Sequence, residues 1–241
     1  MANPILNQNF TEQEQVLQGN AMTVNGTLQV AGLLGLILVI SAIFVWSRFT
    51  LGYTDIALML TGGGTIVGFI LALIGIFTKN KFLIPVYAAC EGLFLGGISA
   101  TMEASYPGIV SQAVAGTFMA FFSMLILYRA NIIKCTDKFR SGIFISTCSI
   151  AAIYLINFIG SFFNMQVPFI NASSTFGIAI SAVIVVIAAL NLIVDFDFIE
   201  KGAQAMLPKD MEWYGAFGLM ITMVWLYLEI LRLLSKLSSR D

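Results

Sequence analysis

Seven apolar runs, each close to the length that crosses a bilayer, constrain this chain more than any other feature. They cover about Gln29–Trp46, Ile56–Phe77, Phe82–Thr101, Ile109–Tyr128, Gly142–Phe163, Phe176–Val194 and Trp213–Leu234. Roughly 20 consecutive apolar residues span hydrocarbon as a helix. The runs are long and do not alternate, and a helix satisfies its own backbone in lipid, so helix is expected rather than strand. Connections are short, as in Thr78-Lys79-Asn80-Lys81 and Glu103-Ala104-Ser105-Tyr106-Pro107-Gly108. Only 10% of the residues are charged and 59% are hydrophobic, against about 25% charged in a soluble domain. That leaves too little polar surface to cover a water-soluble globule. The expectation is an all-α integral membrane protein: a polar tail over 1–27, seven transmembrane helices over 28–237 with the last helix central in the bundle, and a short tail over 238–241.

Charge narrows the function. The net charge is -1, from 12 basic and 13 acidic side chains, without the basic footprint of a nucleic-acid binder. There is no histidine, so the commonest metal ligand and the usual near-neutral switch are missing, and any proton sensing falls to carboxylates. Cys90, Cys135 and Cys148 are not spaced as CxxC and read as small packing residues. With no histidine and no Gly-x-Ser-x-Gly nucleophile motif, no enzymatic activity and no cofactor are expected. The tail lacks the basic region of a signal peptide.

Seven spans distribute the Lys and Arg residues unequally. Lys79, Lys81, Arg129, Lys134, Lys138, Arg140, Lys201 and Lys209 fall on the side of the N-terminus; Arg48, Arg232, Lys236 and Arg240 fall on the other. The positive-inside rule therefore puts the N-terminus in the cytoplasm. The basic C-terminal tail contradicts this locally, and a seventh segment that re-enters would place that tail inside. Gly62-Gly63-Gly64 with Gly68, and Gly92 with Gly96, read as close helix packing, with a kink in the second run as a further expectation. Asn171-Ala172-Ser173 is a formal glycosylation signal of little weight here.

The acids carry the functional signal. Glu12, Glu14, Asp55, Glu103, Asp137, Asp210 and Asp241 lie in tails or loops, with Glu200 and Glu212 at segment edges, and a solvated surface role is the default for all of them. Glu91, Asp195, Asp197 and Glu229 remain. An ionisable group inside a span is costly and is a functional-site hypothesis by default. Asn191 and Asp195 share a helix face, whereas Asp197 points away and is expected at the head-group edge. Glu229 has Arg232 three residues on, so a local ion pair that neutralises it in place is the rival reading. Two carboxylates in a low-dielectric core would share one proton. Protonated, they latch two helices together; ionised, they repel and attract a hard cation such as calcium, which takes oxygen ligands.

At these residues the chain resembles the Bax inhibitor family, in particular its bacterial YccA-type branch. The resemblance rests on Leu190-Asn191-Leu192-Ile193-Val194-Asp195-Phe196-Asp197-Phe198-Ile199-Glu200, similar to the sixth-helix Asp motif of the family. It rests also on Leu226-Tyr227-Leu228-Glu229-Ile230-Leu231-Arg232-Leu233-Leu234, similar to its last-helix motif, with Glu229 where the family has Asp. The resemblance implies a calcium leak gated by pH through Asp195 and Glu229, which would hold the ion transiently, in a bacterial inner membrane. Its alternative is a non-conducting protein that modulates a membrane protease or another membrane complex.

One geometric difficulty accompanies that pair. Continuous helices joined near Met206-Leu207-Pro208 would leave the two acids roughly 15 Å apart in depth. A fold-back insert within Glu200–Tyr214 would restore the pairing; otherwise Glu91 is the second-ranked partner of Glu229.

Overall fold

The computed structural model describes residues 20–78, 80–163 and 174–239. Most of the polar tail, Lys79, the loop with Asn171-Ala172-Ser173, and Arg240 and Asp241 lie outside the described residues. Seven helices follow in order: α1 Val24–Thr50, α2 Thr54–Thr78, α3 Leu83–Ser105, α4 Ile109–Arg129, α5 Asp137–Ser161, α6 Thr175–Gln204 and α7 Met211–Ser238. All seven contain stretches long and apolar enough to cross a membrane, so the chain is an all-α membrane protein with seven spans.

Short polar side chains start several of these helices. Thr23, Thr136 and Ser174 each accept the backbone N–H three residues on, at Gly26, Phe139 and Gly177, satisfying donors that the first turn otherwise orphans. Between α3 and α4, Glu103 accepts from the N–H groups of Gly108 at 2.6 Å and Val110 at 3.1 Å. Gly108 turns there at φ 85°, a conformation glycine adopts without strain. Glu103 is thus a loop clasp.

The last helix is central because it contributes to two cores at once. Ala216, Phe217, Met220 and Val224 of α7 pack with Leu34 of α1 and Ile84, Tyr87 and Leu95 of α3. Leu219, Leu226, Ile230 and Leu231 pack with Ala113 of α4 and Leu192 and Phe196 of α6. The outer helices show the reverse: Leu36, Ile43, Met59 and Phe144 are more than half exposed, which in water would be a large apolar patch and in a bilayer is the lipid face. α5 stands furthest out, packed against α6, with Ile143 and Ile150 as its buried residues.

Glycine fixes the close seams, since association in lipid relies on backbone approach rather than on hydrophobic exclusion. A Cβ on Gly64 of α2 would lie 2.7 Å from the Cys90 carbonyl oxygen, and one on Gly96 of α3 would lie 2.8 Å from Ala42 Cα. α2 runs unbroken from Thr54 to Thr78 through its glycine triplet.

One expectation about the last pair of helices is corrected, and the re-entrant alternative to seven spans is set aside. The sixth run continues past Val194 to Gln204, and α7 is helical from Met211, so no insert folds back within Glu200–Tyr214. Glu200 and Lys201 extend α6 because Glu and Lys are good helix formers and because Lys201 meets Asp197 one turn earlier. The seventh segment is one helix of 28 residues, about 42 Å at the standard rise, so it crosses rather than re-enters.

Candidate functional site

The acids of α6 and α7 are held at three separate levels. At the α6–α7 turn end, Asp197 is 5% exposed and its Oδ2 accepts from both Arg140 Nη2 of α5 and Lys201 Nζ. It lies at the helix end, as expected of the head-group edge, but buried in the α5–α6 seam, where Arg140 reaches in to neutralise it. On the α4 side, the Tyr128 hydroxyl donates to Glu200 Oε2 at 2.6 Å.

One level deeper lies Asp195. Its Oδ1 faces Gly218 of α7, where a Cβ would stand 3.7 Å away, and Thr222 lies against the same carboxyl. Its Oδ2 is shielded from solvent and has no hydrogen-bond partner among the described residues. The residue as a whole is half-buried, so it is the carboxyl head that is sealed in the seam. Asn191, one turn earlier, turns to α5: its Nδ2 donates to Thr147 Oγ1 at 3.0 Å and to the Ile187 carbonyl at 2.9 Å.

The third level holds Glu229, 1% exposed. The Tyr154 hydroxyl of α5 lies 2.9 Å from both carboxylate oxygens. Trp225 Nε1 donates to Oε1 at 3.1 Å, and Arg232 Nη1 lies 3.0 and 3.1 Å from the two oxygens. Arg232 also stacks over the Tyr154 ring at 4.7 Å, a cation–π arrangement. Both oxygens are satisfied and a counter-charge is in place.

The structure does not bring Asp195 and Glu229 together. Asp195 lies nine residues before the end of α6, and Glu229 eighteen after the start of α7. At about 1.5 Å per residue they differ in depth by about 13 Å. Glu91 fails as a partner of Glu229 for the same reason: eight residues into α3, it is level with Asp195. It sits in the α2–α3 seam beside Tyr87 and 3.7 Å from where a Gly68 Cβ would be. Tyr87 in turn packs edge-on against Phe217, with centroids 5.1 Å apart.

Several site residues escape a reading of the sequence. Tyr154, Trp225, Thr222 and Arg140 look like ordinary span or edge residues, and nothing in the local pattern marks them. Lys236 falls among the basic residues of the C-terminal end, yet it is 6% exposed and its Nζ donates to Ser181 Oγ at 2.8 Å in α6. Glu212, expected on the surface, is 5% exposed and accepts from Thr23 N at 3.0 Å and Thr23 Oγ1 at 2.9 Å. That clasp ties the start of α1 to the start of α7. The Met22 N–H donates to the Leu207 carbonyl at 2.6 Å, and Lys209 N–H to the Asn20 carbonyl at 2.8 Å.

Chemically, Asp195 is the unfinished group. An uncompensated buried carboxylate costs several kcal/mol. No group of three or more His, Cys, Asp or Glu side chains capable of holding a metal occurs among the described residues, and calcium takes six to eight oxygens, roughly.

A search of curated proteins finds no match, and a search of solved structures finds none either. A family model described as Bax inhibitor 1 like matches residues 3–239. With an all-α seven-span fold and a match that runs almost end to end, the chain belongs to the Bax inhibitor 1 like family.

Proposed function

We propose that the protein is a proton-controlled cation leak in which Asp195 is the titrating group. The observation that carries this is the sealed, unpartnered Oδ2 of Asp195 against Gly218 and Thr222. Protonated, the carboxyl is a neutral donor and the α6–α7 seam stays shut. Ionised, it is a bare charge in a low-dielectric seam, which draws in water and a hydrated cation. Gly218 leaves the room that this needs. Calcium fits as cargo, since a carboxylate and a hydroxyl are hard oxygen donors. Glu229, already neutralised by Arg232 and hydrogen-bonded by Tyr154 and Trp225, acts as a fixed structural plug about 13 Å further along. The excess of basic residues on the side of Lys81, Arg140 and Lys201 supports a cytoplasmic N-terminus.

Calcium flux into proteoliposomes across a pH series tests the reading. Wild type leaks more as pH rises; Asp195→Asn loses the dependence and stays at its low-pH level; Glu229→Gln keeps the dependence. A pH profile unchanged in Asp195→Asn sinks the assignment. The complete satisfaction of Glu229 favours a second reading, a non-conducting protein that binds another membrane protein. Zero flux at every pH together with a stoichiometric co-purifying partner would select it.

A further inference from the structure

A groove beside Asp197 opens between the start of α5 and the end of α6, on the face that carries the α6–α7 turn. It encloses about 370 Å³ and is lined by Val194, Phe198, Gly202 and Leu207, with Arg140 and Lys201 at its rim. We propose that this groove binds an anionic phospholipid, its phosphate held by Arg140 and Lys201 and its first acyl carbons lying on Val194, Phe198 and Leu207.

Charge comes first. Arg140 and Lys201 both bond to one oxygen, Asp197 Oδ2, so two positive charges meet one negative charge and the rim keeps a surplus of one. Glu200, next to Lys201 in the chain, is taken by Tyr128 on the α4 side of α6. Donors are left over as well: an ammonium has three N–H groups and a guanidinium five, and Asp197 uses one of each. The two side chains are 44% and 55% exposed, so these donors are accessible.

Depth and lining then choose the occupant. Arg140 is in the first turn of α5 and Lys201 in the last turn of α6, where a helix of 30 residues, about 45 Å long, emerges from a hydrocarbon layer of about 30 Å. That is head-group level. Below the cations the walls are apolar, and Phe198 is 43% exposed towards the lipid side. A free phosphate would leave this wall uncovered; a phospholipid covers both parts. Basic pockets between helix ends are recurrent head-group sites.

The test uses the full-length protein, delipidated in neutral detergent, with phosphatidylglycerol or phosphatidylcholine added and bound lipid counted by native mass spectrometry. Wild type retains phosphatidylglycerol in preference to phosphatidylcholine. R140Q/K201Q, which removes two cation contacts, weakens that retention about 30-fold. K134Q/K138Q, which removes two basic residues that do not line the groove, leaves it unchanged. Val194→Phe fills the apolar part with the cations intact and lowers retention without touching Asp197, so it decides the matter if R140Q/K201Q fails to fold. Equal retention of the two lipids by wild type, or full phosphatidylglycerol retention in Val194→Phe, overturns the proposal. Release of the lipid by equimolar inorganic phosphate assigns the rim to a free anion and overturns it too.

Discussion

Arg232→Gln is the sharpest probe of what the buried acid of α7 is for. In wild type, Glu229 is 1% exposed and faces one cation and two neutral donors. Removing the cation strands a carboxylate with Tyr154 and Trp225 alone. Breaking a buried ion pair from one side costs about 3–5 kcal/mol. The Arg232 side chain is 40% exposed, so water replaces part of the lost charge, and about 2 kcal/mol is a fairer figure. The converse change, Glu229→Gln, leaves an Arg232 that solvent can reach, while the new amide oxygen still accepts from Tyr154 and Trp225. Its cost is about 1 kcal/mol. In the double variant the stranded charge is gone, so the two losses fail to add, by about 1 kcal/mol or more. Urea unfolding in mixed micelles, followed by tryptophan fluorescence, measures all four proteins under conditions where refolding is shown to be reversible. If Arg232→Gln is no more destabilising than Glu229→Gln, or if the double variant equals the sum of the singles, Glu229 is not an ion-paired plug. The proposed division of roles between Glu229 and Asp195 would then fail.

Other outcomes follow from single contacts. Asp195→Leu removes a buried oxygen that has no partner, so it should raise the unfolding midpoint while abolishing pH-dependent flux; a lower midpoint counts against the orphaned carboxyl. Gly26→Ala places a methyl group on the Glu212 carboxylate and Glu212→Ala strands Thr23 N–H, and each should cost about 1–3 kcal/mol and expose residues 20–23 to limited proteolysis. Cys135, between α4 and α5, has its thiol pushed up by burial and by the nearby Asp197 carboxylate. A raised thiol is less ionised at neutral pH, so maleimide labelling should become fast only at higher pH than for an unperturbed thiol. Asp197→Asn should shift that profile to lower pH; a shift upward would reverse the sign of the assigned cause.

The division between what the chain shows and what only folding decides follows from the range of the forces. Seven runs of near-spanning length are a local property, and each helix satisfies its backbone within itself, so the seven-span architecture is legible residue by residue. The rarity of Asp195, Glu91 and Glu229 among apolar neighbours is equally local, as is the spacing of Glu229 and Arg232 that allows their pair. The sequence by itself therefore determined an all-α membrane fold and a short list of buried acids. Partnership between helices is different. It depends on where each helix ends and how it is rotated, which no window of sequence contains. The compact link between Gln204 and Met211 leaves both helices continuous, and their packing sets Asp195 against Gly218 and Thr222 and leaves Glu229 to Tyr154 of α5. Glu212 and Lys236 look like solvated edge charges until Thr23 and Ser181, more than fifty residues away in each case, meet them. Tertiary structure decided which of the acids is neutralised by a cation and which, at Asp195, keeps one oxygen without a partner among the described residues.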